Sequence, residues 1–287
     1  MEVQYKKMNV EGTEVFFREA GNPRNPAIIL LHGFPSSSHM FRDLIPLLAD
    51  CYYVIAPDYP GYGNSSMPSL DEFSYTFEHL SLVIEQLING LCIPQYILYC
   101  HDYGGPVGFR LAIRHPERVL GFVIQNAVAH AEGLGQPFDL FKALWADPSP
   151  ENKAAFAALV DVHFTKKQYT YGACDLFRIS PDGYIMDQCF LDRPGNAAIQ
   201  LALGYDYRNN VEQYPRWQQY LRTYQPPTLI AWGKNDFIFT LEGAYSLARE
   251  LTCVELVLLC GGHFVLEEES FTVARLIKSF FCRVYGF

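Results

Sequence analysis

The stretch ILYCHDYGGPV, residues 97–107, sets an ionisable side chain between an apolar run and paired glycines. A strand that turns sharply into a helix lifts one side chain above the sheet edge at the helix N-terminus, and here that side chain is Asp102. A carboxylate is already a nucleophile at neutral pH and needs no base to activate it. Gly104 and Gly105 let the helix pack close to the strand, with Cys100 in the small position before the turn. On this segment alone, Asp102 reads equally well as a cap for the helix N–H groups. Two later residues bear on the choice. Asp236, in WGKNDFIF, follows the apolar run TLIA and so falls at a strand's C-terminal end, where ligands collect in parallel sheets. His263, in LLCGGHFVLEE, follows the next strand-like run in a glycine-rich loop. Taken singly, these read as a turn aspartate and a surface histidine. Taken together, nucleophile, acid and histidine stand in the order 102, 236, 263, each just beyond a strand, a set able to form a covalent intermediate and then hydrolyse it.

The elements that must position these residues follow from the hydrophobic pattern. Two alternating segments, VQYKKMNV and TEVFFREAG, predict a hairpin joined at EGT. Short apolar runs then alternate with helical stretches: AIILLHG, a helix near 39–49, YYVIAPD, a helix near 75–89, YILYC, a helix over about 104–114, and a strand near 120–126 in LGFVIQNAV. That order predicts a mostly parallel central sheet with helices on both faces. From about 129 to 215 the strand rhythm gives way to helix-like and loop segments, which predicts an inserted, mainly helical cap. Strands resume at PTLIAWG and VELVLLCGG, separated by a helix near 241–250 and followed by a last helix at about 268–281. The expected division is a core of residues 1–128 and 216–287 and an insertion of residues 129–215.

Composition narrows the function classes. The 287 residues, 49% apolar and 18% charged, suffice for a full core. With 22 basic against 31 acidic residues, a net charge of −9 and no Lys/Arg cluster, nucleic acid is an unsuited partner. The N-terminal residues show no signal-peptide pattern, and no apolar stretch approaches the roughly 18 residues of a membrane helix, so a cytoplasmic protein without a membrane partner is expected. Eight cysteines, scattered mostly through apolar runs without C-x-x-C spacing, are expected to be buried thiols. No cluster has zinc-ligand spacing and no glycine run has a phosphate-binding pattern, so neither metal nor cofactor is expected.

The motifs HGFP (32–35), APDYPGYGNS (56–65), HDYGG (101–105), GKND (233–236) and GGH (261–263) carry a resemblance that covers nearly the whole chain. The sequence resembles α/β-hydrolases of the epoxide hydrolase and haloalkane dehalogenase branch, whose nucleophile is Asp and whose order of nucleophile, acid and histidine is the one seen here. The resemblance implies oxyanion-hole N–H groups from Phe34, after an early strand, and from Tyr103, next to the nucleophile. It also implies a cis bond before the proline of HGFP, and gives APDYPGYGNS a turn-shaping, structural role. Epoxide hydrolases of this branch use two cap tyrosines toward the epoxide oxygen. GYDYRNN points to Tyr207 and KKQYTYG to Tyr169, with Tyr171 beside it, although in a chain with 19 tyrosines each also fits plain packing.

Two departures from the branch stand out. Tyr103 occupies a position where Trp is common, and Phe34 one where many dehalogenases have Asn, so neither halide ligand is present there; Arg, frequent after the nucleophile in fluoroacetate dehalogenases, is also missing. A cap residue such as Trp145 is the remaining candidate for a halide donor. The expectation is an epoxide hydrolase acting on a small apolar organic substrate, as a monomer or homodimer. The alternatives are a haloalkane or haloacid dehalogenase, another small-molecule ester or lactone hydrolase, and a ligand-binding receptor of the same fold without turnover. Phe138, Phe141, Leu144, Trp145, Phe156 and Phe164 suit either an apolar channel or the packing of an amphipathic cap.

Overall fold

Along Ala27–Leu31 successive side chains enter two different cores: Ile29 and Leu31 pack into one hydrophobic cluster, Ile28 and Leu30 into the other. Tyr96, Leu98 and Cys100 against Ile97 and Tyr99 repeat the alternation, as do Ile230 and Trp232 against Leu229 and Ala231. A period of two with both sets apolar requires a sheet covered on both faces. The computed structural model describes residues 2–286; Met1 and Phe287, which the expected core division includes, lie outside the described residues.

The strands are β1 (Gln4–Val10), β2 (Thr13–Ala20), β3 (Ala27–Leu31), β4 (Tyr53–Pro57), β5 (Tyr96–His101), β6 (Val119–Gln125), β7 (Thr228–Gly233) and β8 (Val254–Leu259). They form one eight-stranded sheet in the order β1-β2-β4-β3-β5-β6-β7-β8. The hairpin β1–β2 and the β2–β4 pair are antiparallel, and the remaining pairs are parallel. After β4 the chain passes over β3 to place β5 on its other side, so the winding reverses at the C-terminal ends of β3 and β5. That reversal opens the crevice in which ligands bind in such sheets.

The helices are α1 (Leu44–Leu48), α2 (Phe77–Gly90), α3 (Gly104–Arg114), then α4 (Phe138–Ala146), α5 (Pro150–Ala157), α6 (Val162–Thr170), α7 (Pro181–Leu191), α8 (Asn196–Asp206), α9 (Arg208–Tyr224), and finally α10 (Leu241–Arg249) and α11 (Leu266–Tyr285). Helices α1 and α11 cover one face of the sheet, while α2, α3 and α10 cover the other. The helix expected near 39–49 is instead a 3₁₀ turn, Ser38–Phe41, and the short α1. Pro46 has no N–H to donate to Arg42, so a continuous helix lacks a bond there. Between β6 and β7 the chain is helical without strands, and α9 runs on past the expected boundary at 215, so that its Trp217 stacks on Phe109 of α3.

The cysteines correct the sequence reading. Cys174 and Cys260 form a disulfide, and of the free thiols only Cys100 is buried; Cys51, Cys92, Cys189, Cys253 and Cys282 are exposed. Cys51 and Cys92 follow the ends of α1 and α2, and Cys253 directly precedes β8, where apolar runs leave the core. No helix of the described residues is long and apolar enough to cross a membrane.

Candidate active site

At the end of β5 the backbone turns through Asp102, whose φ of 49° is a left-handed conformation seldom adopted by a residue with a side chain. The turn is held because Asp102 N–H donates to Asn126 C=O (3.2 Å) and Gly105 N–H donates to Asp102 C=O (2.9 Å). Close packing explains the small residues. A Cβ on Gly104 would stand 2.2 Å from the Leu31 carbonyl oxygen, and one on Gly33 would stand 2.2 Å from Cβ of Asp102. The HGFP segment is fixed by His32, whose Nε2 accepts from Tyr59 N–H (3.1 Å) and whose Nδ1 therefore donates to Gly33 C=O (3.0 Å). Burial pushes the His32 imidazole down to about 3, so it stays neutral. The Phe34–Pro35 bond is cis. Buried Asp58 organises APDYPGYGNS, accepting from Ser38 N–H (2.7 Å) and Asn64 N–H (2.8 Å).

Three side chains expected from the sequence converge here. Phe34 N–H donates to Asp102 Oδ1 at 2.5 Å, and Tyr103 N–H also hydrogen-bonds the carboxylate. Oδ2 faces Nε2 of His263 at 3.9 Å. On its other side, the His263 ring donates from Nδ1 to Asp236 Oδ2 at 2.8 Å, while Asp236 Oδ1 accepts from Ile238 N–H at 2.7 Å. Burial raises the Asp102 carboxyl to about 6, against the opposing pull of His263 and of the Phe34 and Tyr103 N–H groups. Burial disfavours charge on His263, but Asp236, through its charge and hydrogen bond, and Asp102 together hold the imidazole above its ordinary value.

A cavity over Asp102 is walled by Phe34, Tyr103, Pro137, Phe138, Phe141, Phe156, Leu159, Phe164 and Ile238, with two amides, Gln168 and Gln200. It is tight, with a volume of ≈ 30 Å³ open to water centres, roughly the room two waters need. Four of the six apolar residues singled out between 129 and 215 line it; Leu144 and Trp145 pack behind. Trp145 does not supply a halide donor, because its Nε1–H donates to Gly204 C=O at 2.8 Å.

The tyrosine positions differ from expectation. Tyr169 is corrected: its hydroxyl donates to Asp187 Oδ2 at 2.5 Å and its ring stacks on Phe264, away from the cavity. The reason is helical phase, since on α6 it is the preceding residue, Gln168, that turns to the cavity. Tyr171 is exposed and packs on Phe237. Tyr207 is buried one layer behind the wall, with its ring against Phe138, Phe141 and Tyr103 and its hydroxyl 3.4 Å from that of Tyr214. Burial and the Tyr214 hydroxyl push its phenol well above the ordinary value.

Asn126 was not singled out from the sequence. It follows β6 with φ of 45°, its Nδ2 donates to Asp236 Oδ2 (2.8 Å), and its Oδ1 accepts from Gly233 N–H (2.8 Å). The available signal was an Asn at a strand's C-terminal end, the residue type that best tolerates a left-handed turn after glycine. Among the described residues no group of three or more His, Cys, Asp or Glu is arranged to hold a metal.

Sheet order, elbow and convergent Asp, His and Asp side chains define an α/β-hydrolase. The chain belongs to the alpha/beta hydrolase fold family, whose model matches residues 26–270. Among its relatives, an uncharacterized hydrolase of Saccharomyces cerevisiae is 39% identical over 284 residues, 97% of each chain. Epoxide hydrolase 3 of Xenopus tropicalis is 28% identical over 245 residues, which is 81% of this chain and 64% of that protein. The crystal structure of the haloalkane dehalogenase DbeA from Bradyrhizobium elkani superposes with a TM-score of 0.83 at 20% identity, over 99% of both chains, a likeness of fold. The chain is thus an α/β-fold hydrolase enzyme with epoxide hydrolase and dehalogenase relatives.

Proposed function

We propose that this hydrolase opens a small apolar epoxide to a diol through an ester on Asp102. The observation that carries the reading is the division of labour between the two carboxylate oxygens. Oδ1 is held by the Phe34 N–H, Oδ2 looks toward His263, and the Tyr103 N–H also bonds the carboxylate. In the first step Oδ2 attacks a saturated carbon, and the C–O bond of the epoxide breaks with its electron pair on the oxygen, which takes a proton from water. Oδ1 becomes the ester carbonyl oxygen, already seated on the Phe34 backbone donor.

In the second step His263, oriented by Asp236, takes a proton from water, and the water attacks the ester carbonyl carbon. Negative charge collects on Oδ1, where each N–H contributes about 3 kcal/mol in comparable sites. Collapse breaks the bond to the alkoxy oxygen, which takes the proton held by His263, so the diol leaves and Asp102 and neutral His263 are restored. The residues between β6 and β7, acting as a cap, close an aromatic chamber over the carboxylate, which suits a small apolar molecule. Halide release is disfavoured by Tyr103 in the usual Trp position and by the engaged Trp145 N–H.

The test is mass spectrometry of His263→Ala after exposure to small epoxides and haloalkanes, with Asp102→Asn as control. An adduct on Asp102 that persists is expected; its absence with every bound epoxide would sink the two-step scheme. Adducts and halide release from haloalkanes alone would assign the enzyme to the dehalogenases.

A further inference from the structure

In the wall opposite Asp102, one strong donor is unused. Gln168 on α6 lines the cavity and is 1% exposed, and its Nε2 has no hydrogen-bond partner. A buried amide N–H without a partner costs about 1–3 kcal/mol, so its persistence calls for an explanation. Several neighbouring polar groups are engaged. Gln200 accepts from the Tyr62 hydroxyl (2.5 Å) and donates to Asn196 Oδ1 (3.0 Å). Tyr169 is bound to Asp187, Tyr207 faces Tyr214, and Trp145 holds Gly204.

Displacement at a saturated carbon proceeds in line, so the departing atom moves away from Asp102 toward the wall built by the helices between β6 and β7. Gln168 belongs to that wall. Tyr103 also lines the cavity, but it belongs to the elbow next to the nucleophile and not to the helices between β6 and β7. We infer that the Gln168 carboxamide donates the hydrogen bond that receives the leaving atom when Asp102 attacks, an assignment that rests on Asp102 being the nucleophile. In this step the Asp102 Oδ2–C bond forms, and the C–O bond breaks with its electron pair on oxygen. Gln168 stabilises the resulting alkoxide through its N–H, and the proton that completes the hydroxyl comes from water, because an amide does not ionise.

A donor to the leaving atom matters most for poor leaving groups, which separates this role from mere packing. In the full-length His263→Ala protein, ester formation on Asp102 is followed by intact mass with 1,2-epoxybutane and with 1-bromobutane. Adding Gln168→Met, or Gln168→Leu if the first does not fold, is expected to slow reaction with the epoxide about 10²-fold and with the bromide less than about fivefold, since bromide leaves without assistance. Equal losses with both probes, or no loss, would overturn the assignment while leaving the Asp102 ester standing. A leaving-group-selective loss in Tyr207→Phe or Tyr103→Phe, with the Gln168 variants reacting like the parent, would overturn it in favour of a tyrosine. Failure of the parent to form any ester on Asp102 with either probe would remove the nucleophile reading itself, and this inference with it.

Discussion

Nε2 of His263 stands 3.9 Å from Oδ2 of Asp102, beyond hydrogen-bonding distance and within reach of strong electrostatic coupling. The spacing makes each group's ionisation depend on the other's and separates the two chemical steps by pH. Ester formation needs Asp102 ionised, and burial has raised that carboxyl to about 6. The limb is therefore acidic: kcat/KM should fall as pH drops through 6, to about a tenth one unit below it. Ester hydrolysis needs His263 neutral. Asp102 is one of the groups holding the imidazole up, and esterification removes its charge, so the histidine becomes easier to deprotonate when it must act as base. Nuclear magnetic resonance titration of His263 should show a lower pKa in Asp102→Asn than in the parent. An unchanged or higher value would mean that the two groups are not coupled.

Asn126 holds Asp236 as Asp236 holds His263. Asn126→Gly keeps a residue that accepts positive φ while removing the amide that donates to Asp236 and accepts from Gly233 N–H. A hydrogen bond to a charged group is worth about 1.5–3 kcal/mol. Decay of the Asp102 ester should accordingly slow about tenfold, while its formation changes less than about twofold. Rapid-quench measurement of both steps checks this, and equal slowing of the two would contradict an action confined to His263.

The disulfide joins the loop after α6 to the turn three residues before His263. Glu268 supports the same junction by accepting from the backbone N–H groups of Cys174 (3.0 Å) and Asp175 (2.7 Å). A bridge between residues 86 apart closes a long loop in the unfolded chain, and its loss typically costs about 2–4 kcal/mol. Urea unfolding of Cys174→Ser with Cys260→Ser should show that loss. Reductant should produce it in the parent and add nothing in the double variant.

What the sequence made legible divides along a physical line. Strand alternation and the position of Asp102, Asp236 and His263 after apolar runs are local patterns, and their convergence follows from parallel-sheet topology. Gln168 and Tyr169 are adjacent in KKQYTYG, and choosing the one that faces the cavity requires the phase of α6 against Phe264, a contact nearly a hundred residues away in sequence. The Cys174–Cys260 pair has no spacing signal, because a disulfide is set by proximity in space. Asn126 looked like the end of a strand; only its partners Gly233 and Asp236 reveal its task.

Phe164 is the partly exposed aromatic residue that the helices between β6 and β7 contribute to the wall, packed on Phe237. Fully buried phenylalanines such as Phe138 cost about 3–5 kcal/mol when cut to Ala, and Phe164 should cost less because part of its ring is already in water. Removing that ring enlarges a cavity that now accommodates about two waters, so size selection should shift without touching the chemistry at Asp102. Each extra methylene that gains a place is worth about 1 kcal/mol or more. For Phe164→Ala, the ratio of kcat/KM for 1,2-epoxyoctane over 1,2-epoxybutane should rise at least about tenfold, with the acid limb near 6 retained. A fall in both substrates with the ratio unchanged would mean that Phe164 supports the fold rather than bounding the substrate.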